Sequence, residues 1–218
     1  FILSYCDRAL GVTSAEEQPV LPKGNNLSLH LLELFTSQVA KVGMTDGIRQ
    51  VLQEESDALR AYYEQAGILI ARPAGGTSCR LAISAKGGTN AENHNHNDVG
   101  SYAVALGSET MVGDQGGPNS YPGDYFNGDA PQKYKIKGSF GHPVPVVDGR
   151  TQSSGGKAKG VVLQKEFTNE KDVFSIDYTS AYSTPNLDKL IRTFVYDRQG
   201  KGSFTVGDEF TAKIPIRF

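Results

Sequence analysis

The sequence predicts a mainly β fold, an antiparallel sandwich or barrel, preceded by a short helical segment. Three observations lead there. From Gly67 onward, short strand-like runs rich in apolar residues follow one another, joined by glycine turns. Glycine and proline are abundant, 25 and 10 of 218 residues, which favours frequent turns over long helices. No stretch of helical periodicity separates the strand-like runs, so βαβ units and a parallel sheet are excluded.

Residues 1–65 differ from the rest. Leu27, Leu31, Leu34 and Phe35 recur at three- and four-residue spacing, and Ser28 can cap a helix over 28–42 that ends at Gly43. Asp46 is placed to cap a second helix, with Ile48, Val51, Leu52, Leu59 and Tyr62 or Tyr63 as its apolar stripe and Gly67 as its C-cap. His30 reads as a packed or partly exposed helix residue. Residues 11–26, with Pro19, Pro22 and Gly24, form a loop. The expected division is a helical segment, 1–65, and a β domain, 66–218. The non-Met start and the strand-like final residues raise the expectation that the chain is a piece of a longer protein.

The expected strands follow in order. They are Ile68–Arg72, Cys79–Ala85, Tyr102–Leu106, Thr110–Asp114, Gly160–Phe167, Val173–Tyr178, Ile191–Tyr196, Gly202–Val206 and Glu209–Ile214. Two glycine-rich loops, 113–128 and 149–160, exceed what hairpins need. The first is a candidate functional loop; Ser153–Lys157 reads as a flexible surface tip.

Charge excludes some functions. With 22 basic and 24 acidic residues the net charge is −2, and there is no general basic field for nucleic acid. No apolar run approaches the ~18 residues of a membrane span. Two cysteines, Cys6 and Cys79, exclude a cystine framework and an all-cysteine zinc site.

The densest polar run is Asn93-His94-Asn95-His96-Asn97-Asp98. Histidines at i and i+2 share one face of an extended chain, so both imidazoles can line one pocket. Asp114 follows a strand, and His142 lies in the Pro-restricted segment Phe140-Gly-His-Pro-Val-Pro. Two histidines and a carboxylate suit Zn²⁺ or another first-row divalent metal. Asp114 alone also fits a plain turn residue, and an isolated His-x-His also fits a polar strand surface.

The segment Gly87-Gly-Thr-Asn-Ala-Glu-Asn-His-Asn-His-Asn-Asp-Val-Gly-Ser-Tyr102 resembles the signature of the heparinase II/III-like polysaccharide lyases. The resemblance continues through Asp114-Gln-Gly, Gly141-His-Pro-Val-Pro-Val-Val-Asp-Gly149, Gln152 and Arg192-Thr-Phe-Val-Tyr196. It implies a two-sheet, supersandwich-like β-sandwich behind an α/α toroid, of which residues 1–65 would be the last helices or a connector. The implied reaction is β-elimination on a uronic-acid-containing glycan, such as a glycosaminoglycan. By position in the motifs, the resemblance makes His94 catalytic and His96, Asp114 and His142 the ligands of a structural zinc. Asn93 and Asn95 are candidates to bind sugar or orient the histidines, and Tyr121 and Tyr125 to border the cleft. The family's catalytic tyrosine and carboxylate-neutralising asparagine belong to the toroid, and Tyr5, Tyr62, Tyr63 and Asn25-Asn26 match neither.

The implied partner is an acidic polysaccharide, with the missing toroid domain completing the protein, and the implied location is periplasmic or secreted. Arg80, Lys86, Lys133, Lys135 and Lys137 are the nearby cations, the last three alternating on one face if extended. Two other readings are a non-catalytic, metal-stabilised carbohydrate-binding sandwich and a metal-dependent oxygenase. In the latter the carboxylate normally follows the first histidine more closely than Asp114 does.

Overall fold

The structure, a computed structural model, describes residues 58–218 apart from Asn93, Gln115 and Asn119. These belong to one unit, 53–218. The helix expected over 28–42 and the start of the second helix lie outside the described residues.

The first described element corrects the sequence reading. Arg60–Tyr63, expected at the end of a helix, is a strand (β1). It pairs antiparallel with β2, Ile68–Ala71, with Tyr63 opposite Ile68. Gly67, at φ +62°, turns the hairpin and does not cap a helix; a Cβ there would stand 2.7 Å from the backbone nitrogen of Gly88. The i, i+3, i+4 pattern of Leu59, Tyr62 and Tyr63 is local, and long-range contacts override it. Arg60 Nε donates to Asp172 at 2.8 Å, and the Tyr62 ring packs 5.8 Å from Phe174.

One antiparallel sheet is completed by β3 (Leu81–Lys86), β5 (Tyr102–Leu106) and β6 (Glu109–Val112), in the order β1-β2-β3-β5-β6. A second holds β8 (Val161–Phe167), β9 (Lys171–Asp177), β10 (Leu187–Asp197) and β11 (Ser203–Ala212), in the order β11-β10-β9-β8. The runs expected at 202–206 and 209–214 are a single strand, because Gly207 stays in register opposite Thr193. A two-stranded ladder joins β4 (Thr89–Asn90) to β7 (Gly155–Lys159). The segment read as a flexible tip therefore includes ordered strand.

The two large sheets form a sandwich. Leu69, Ala71, Ile83 and Ala85 of the first face Phe174, Ile176, Leu190, Phe194 and Tyr196 of the second in one buried cluster. Each fully buried Leu, Ile or Phe stabilises by about 1.5–3 kcal/mol. Phe174 and Phe194, cross-strand partners, stack at 6.0 Å, and Phe204 extends the stack at 6.2 Å from Phe194. Tyr196 reaches across the core and donates to the Leu81 carbonyl at 2.5 Å.

Between β6 and β7 runs a long connection with a short helix α1 (Ala130–Lys133) and two single 3₁₀ turns, Lys135–Lys137 and Ser139–Gly141. Lys133, Lys135 and Lys137 thus do not share an extended face. Lys133 and Lys135 are exposed, whereas Lys137 is buried.

Candidate functional site

Three connections deliver the polar residues singled out from the sequence. The loop between β4 and β5 carries His94 and His96, Asp114 follows β6 by two residues, and His142 caps the second 3₁₀ turn. The structure brings the last three together. His96 Nδ1 lies 3.1 Å from His142 Nε2, and Asp114 Oδ2 lies 3.7 Å from His96 Nδ1 and 3.7 Å from His142 Nδ1. One ligand atom from each of the three lies within 4.8 Å of the others. For Zn–N bonds of about 2.0–2.1 Å, tetrahedral geometry sets ligands roughly 3.4 Å apart, so this donor set has the spacing to hold a zinc ion. His142 turns one ring nitrogen to each partner, and one of them would ligate.

The carboxylate is aimed by its own turn. Gly116 N–H donates to Asp114 Oδ1 at 2.7 Å, which leaves Oδ2 for the histidines. Burial, aided by His142 and Lys137, holds the His96 imidazole below its ordinary pKa, although Asp114 and Asp98 pull the other way. A neutral imidazole is the form that donates a lone pair to a metal.

A buried polar clamp shapes the histidine loop. Gln152, with 1% of its surface exposed, treats Val99 as a strand neighbour: its Oε1 accepts from Val99 N–H at 3.0 Å and its Nε2 donates to the Val99 carbonyl at 2.7 Å. Asn90 Nδ2 donates to the same Oε1 at 3.0 Å, and Asn90 Oδ1 accepts from Asp98 N–H at 3.1 Å. Asn97 N–H donates to the Lys137 carbonyl at 2.7 Å, and its Nδ2 to the Gln152 carbonyl at 3.1 Å. Such bonds satisfy a loop that could not otherwise be buried.

Arg192 ties the two histidine segments together. Its Nη1 donates to the carbonyls of Gly100 at 2.8 Å and Pro143 at 2.7 Å, four residues beyond His96 and one beyond His142. Nε and Nη2 grip Asp208 on β11 at 2.8 and 2.6 Å, and Tyr178 Oη donates to the same carboxylate at 2.9 Å. Burial pushes the guanidinium pKa down, but the Asp208 carboxylate together with Tyr178 and Tyr182 more than offsets it. Gln152 and Arg192 were visible in the sequence only as parts of a resemblance. A polar residue spent on distant backbone groups leaves no local pattern.

His94 stands apart from the other three. It is exposed, with its ring centroid 4.4 Å from that of Phe126. Asn95 N–H donates to the Glu92 carbonyl at 3.2 Å, closing a turn whose third residue is His94 at φ +60°. A left-handed conformation costs a non-glycine residue roughly 1–2 kcal/mol, and such cost is often retained at functional positions. Asn95 spends its amide locally, donating from Nδ2 to the His96 carbonyl at 2.7 Å. Asn93 lies outside the described residues.

Of the two tyrosines expected to border the cleft, only Tyr121 presents its ring. Tyr125 is 2% exposed and packs against Tyr121, Phe126 and Tyr134, so it supports the loop instead of offering a surface. A cleft of about 210 Å³ opens beside the triad, lined by Lys86, Ser101, Tyr102, Asp114, His142 and Pro143 among others. Lys86 is already paired with Asp98 at 2.7 Å and approaches Glu92 at 3.5 Å. Lys133 is paired with Asp124, which leaves Arg80 and Lys135 as exposed members of the nearby cations without an ion pair among the described residues.

No helix among the described residues is long and apolar enough to cross a membrane. No family model matches the chain, and no curated protein does. Among solved structures, the chain is similar to heparan sulfate lyase HepC from Pedobacter heparinus and to a mutant of that enzyme. Both are 18% identical with a TM-score of 0.60, and the alignments cover 85% and 84% of this chain. The chain spans 28% of the length of either. The likeness is one of fold, a heparinase-like β region carried by this sequence.

Proposed function

We propose that this chain is the β-sandwich part of a polysaccharide lyase that cleaves uronic-acid-containing glycans by β-elimination. What carries the reading is the exposed, left-handed His94 two residues before His96, whose imidazole converges with Asp114 and His142, on a lyase-like fold. The difficulty of the reaction is that C5–H is a weak acid. Removing that proton breaks the C4–O4 bond and leaves a C4=C5 double bond, and O4 must gain a proton as it departs. His94 is one member of the acid–base pair, its exposed imidazole open to the glycan and its backbone set by the turn. The other member, and the donor that neutralises the uronate carboxylate, are supplied from outside the sandwich.

His96, Asp114 and His142 would hold one zinc ion, whose contribution is to brace the histidine loop. His96 and His94, two residues apart, then divide the work: one anchors and the other faces substrate. Asn95 orients this loop through its bond to the His96 carbonyl. An acidic glycan substrate fits a periplasmic or secreted protein.

The test is to incubate the full-length protein with a panel of uronate polymers and follow the ultraviolet absorbance of unsaturated sugar. Appearance of that chromophore is the expected result. Binding of a glycan with no unsaturated product from any polymer would instead favour a non-catalytic carbohydrate-binding sandwich.

A further inference from the structure

Aromatic rings beside His94 are arranged in a way that the chemistry of proton transfer does not require. Tyr121 is 55% exposed and Phe126 is 49% exposed, and their ring centroids lie 5.2 Å apart. Both rest on the buried ring of Tyr125, at 4.9 and 5.2 Å, and Tyr134 supports Tyr125 from a further 5.2 Å. Ring packing alone would bury these faces. Here the hidden ring is the floor and the two outer rings are left open.

The loop bearing them is fastened from within. Lys137, 3% exposed, donates from Nζ to the Tyr125 carbonyl at 2.7 Å, with Nζ 4.6 Å from the Tyr125 centroid and 5.1 Å from that of Phe126. Asp124 accepts from Tyr134 Oη at 2.5 Å and pairs with Lys133, closing the same loop from its other side. The Tyr125 hydroxyl is buried and has no hydrogen-bond partner among the described residues, so this floor contributes ring contacts only.

We infer that Tyr121 and Phe126 form a stacking platform for one pyranose ring of the glycan, set directly beside His94. A pyranose presents a flat C–H face that packs on an aromatic ring, with hydroxyls at its edge for neighbouring polar groups such as the His94 imidazole. Preorganised rings bind with little loss of side-chain freedom, which is how a small exposed aromatic pair yields useful affinity. The platform deepens the lyase reading and rests on it for the identity of the glycan. It assigns Phe126, a residue without chemistry of its own, to substrate positioning through ring contact.

The chain contains no tryptophan, so Phe126→Trp supplies a single fluorescent reporter at the platform. Titrate the full chain and its Phe126→Trp, Phe126→Ala and Tyr121→Ala variants with size-defined uronate oligosaccharides and with neutral ones of equal length. Both alanine variants should weaken uronate binding about tenfold or more. Phe126→Trp should keep wild-type affinity and shift its emission as sugar covers the indole. Unchanged affinity in both alanine variants, with a silent reporter, overturns the platform and leaves the lyase reading intact. A reporter that answers neutral but not uronate oligosaccharides keeps the platform and overturns the uronate assignment. If no oligosaccharide of either kind is bound, the platform falls, while the lyase reading is decided separately by the unsaturated-product assay on the full-length protein.

Discussion

Replacing Arg192 with leucine removes the tie between the segments that carry His96 and His142. The guanidinium makes two bonds to backbone carbonyls, Gly100 and Pro143, and two to the Asp208 carboxylate, from a nearly buried position. Hydrogen bonds from a charged group contribute about 1.5–3 kcal/mol each, and breaking a buried ion pair costs about 3–5 kcal/mol. These terms overlap, since one side chain makes all four bonds, and Asp208 retains partial access to water. A net loss of about 4 kcal/mol follows, or about 2 M in urea midpoint for a slope near 2 kcal/mol/M. Arg192→Lys keeps the charge but cannot reach Asp208 and both carbonyls together, so it should lose about half as much. Lysine is the more informative variant, because it should fold while letting the two histidine segments drift. Zinc affinity, measured by competition with a chelator, should then fall about tenfold or more in Arg192→Lys. The reasoning is refuted if the leucine variant stays within about 1 kcal/mol of wild type, or if the lysine variant loses stability with zinc affinity unchanged.

Three further outcomes are expected. Gln152→Leu, which leaves both backbone groups of Val99 without their side-chain partner, should cost about 3 kcal/mol in denaturant unfolding and also lower zinc affinity. Gly141→Ala would place a Cβ 2.6 Å from the Ile136 carbonyl oxygen and 2.8 Å from its Cα, so the backbone beside His142 must move; a loss of at least about 2 kcal/mol should appear as a lowered melting temperature. The third concerns pH in metal-free protein. His96 is held below its ordinary pKa, so the unfolded chain takes up a proton near pH 6.5 that the folded chain still refuses. Stability should therefore fall as pH drops through that value and level off below the folded pKa, and His96→Gln should flatten this part of the profile.

Much of the fold was legible because strands announce themselves by alternation. Tyr102–Leu106 was read with its observed bounds, since a short apolar run between Gly100 and Gly107 marks a strand. β1 was misread because Leu59, Tyr62 and Tyr63 fit a helical stripe equally well, and only pairing with β2 and the reach of Arg60 to Asp172 decide otherwise. Lys137 was grouped with Lys133 and Lys135 on one face of an extended segment by their alternation. A one-turn 3₁₀ helix after a proline-containing turn carries no periodicity to correct that reading. In the site, His96, Asp114 and His142 could be picked out because histidine is scarce and chemically distinctive. Phe126 could not, because an aromatic residue in a loop reads as packing until its exposed face and its neighbour His94 are seen. The same holds for Asn90, Arg192 and Asp208, whose partners lie across the fold.

The central claim is that His94 carries chemistry while its neighbours hold the metal. The measurement that addresses it most directly is the rate of unsaturated-product formation by full-length protein carrying His94→Gln, compared with wild type at equal zinc content. One zinc per chain is expected in both proteins, with a rate at least about a hundredfold lower in the variant. A variant that retains the wild-type rate, or a wild type that binds zinc yet releases no unsaturated sugar from any uronate polymer, would contradict it.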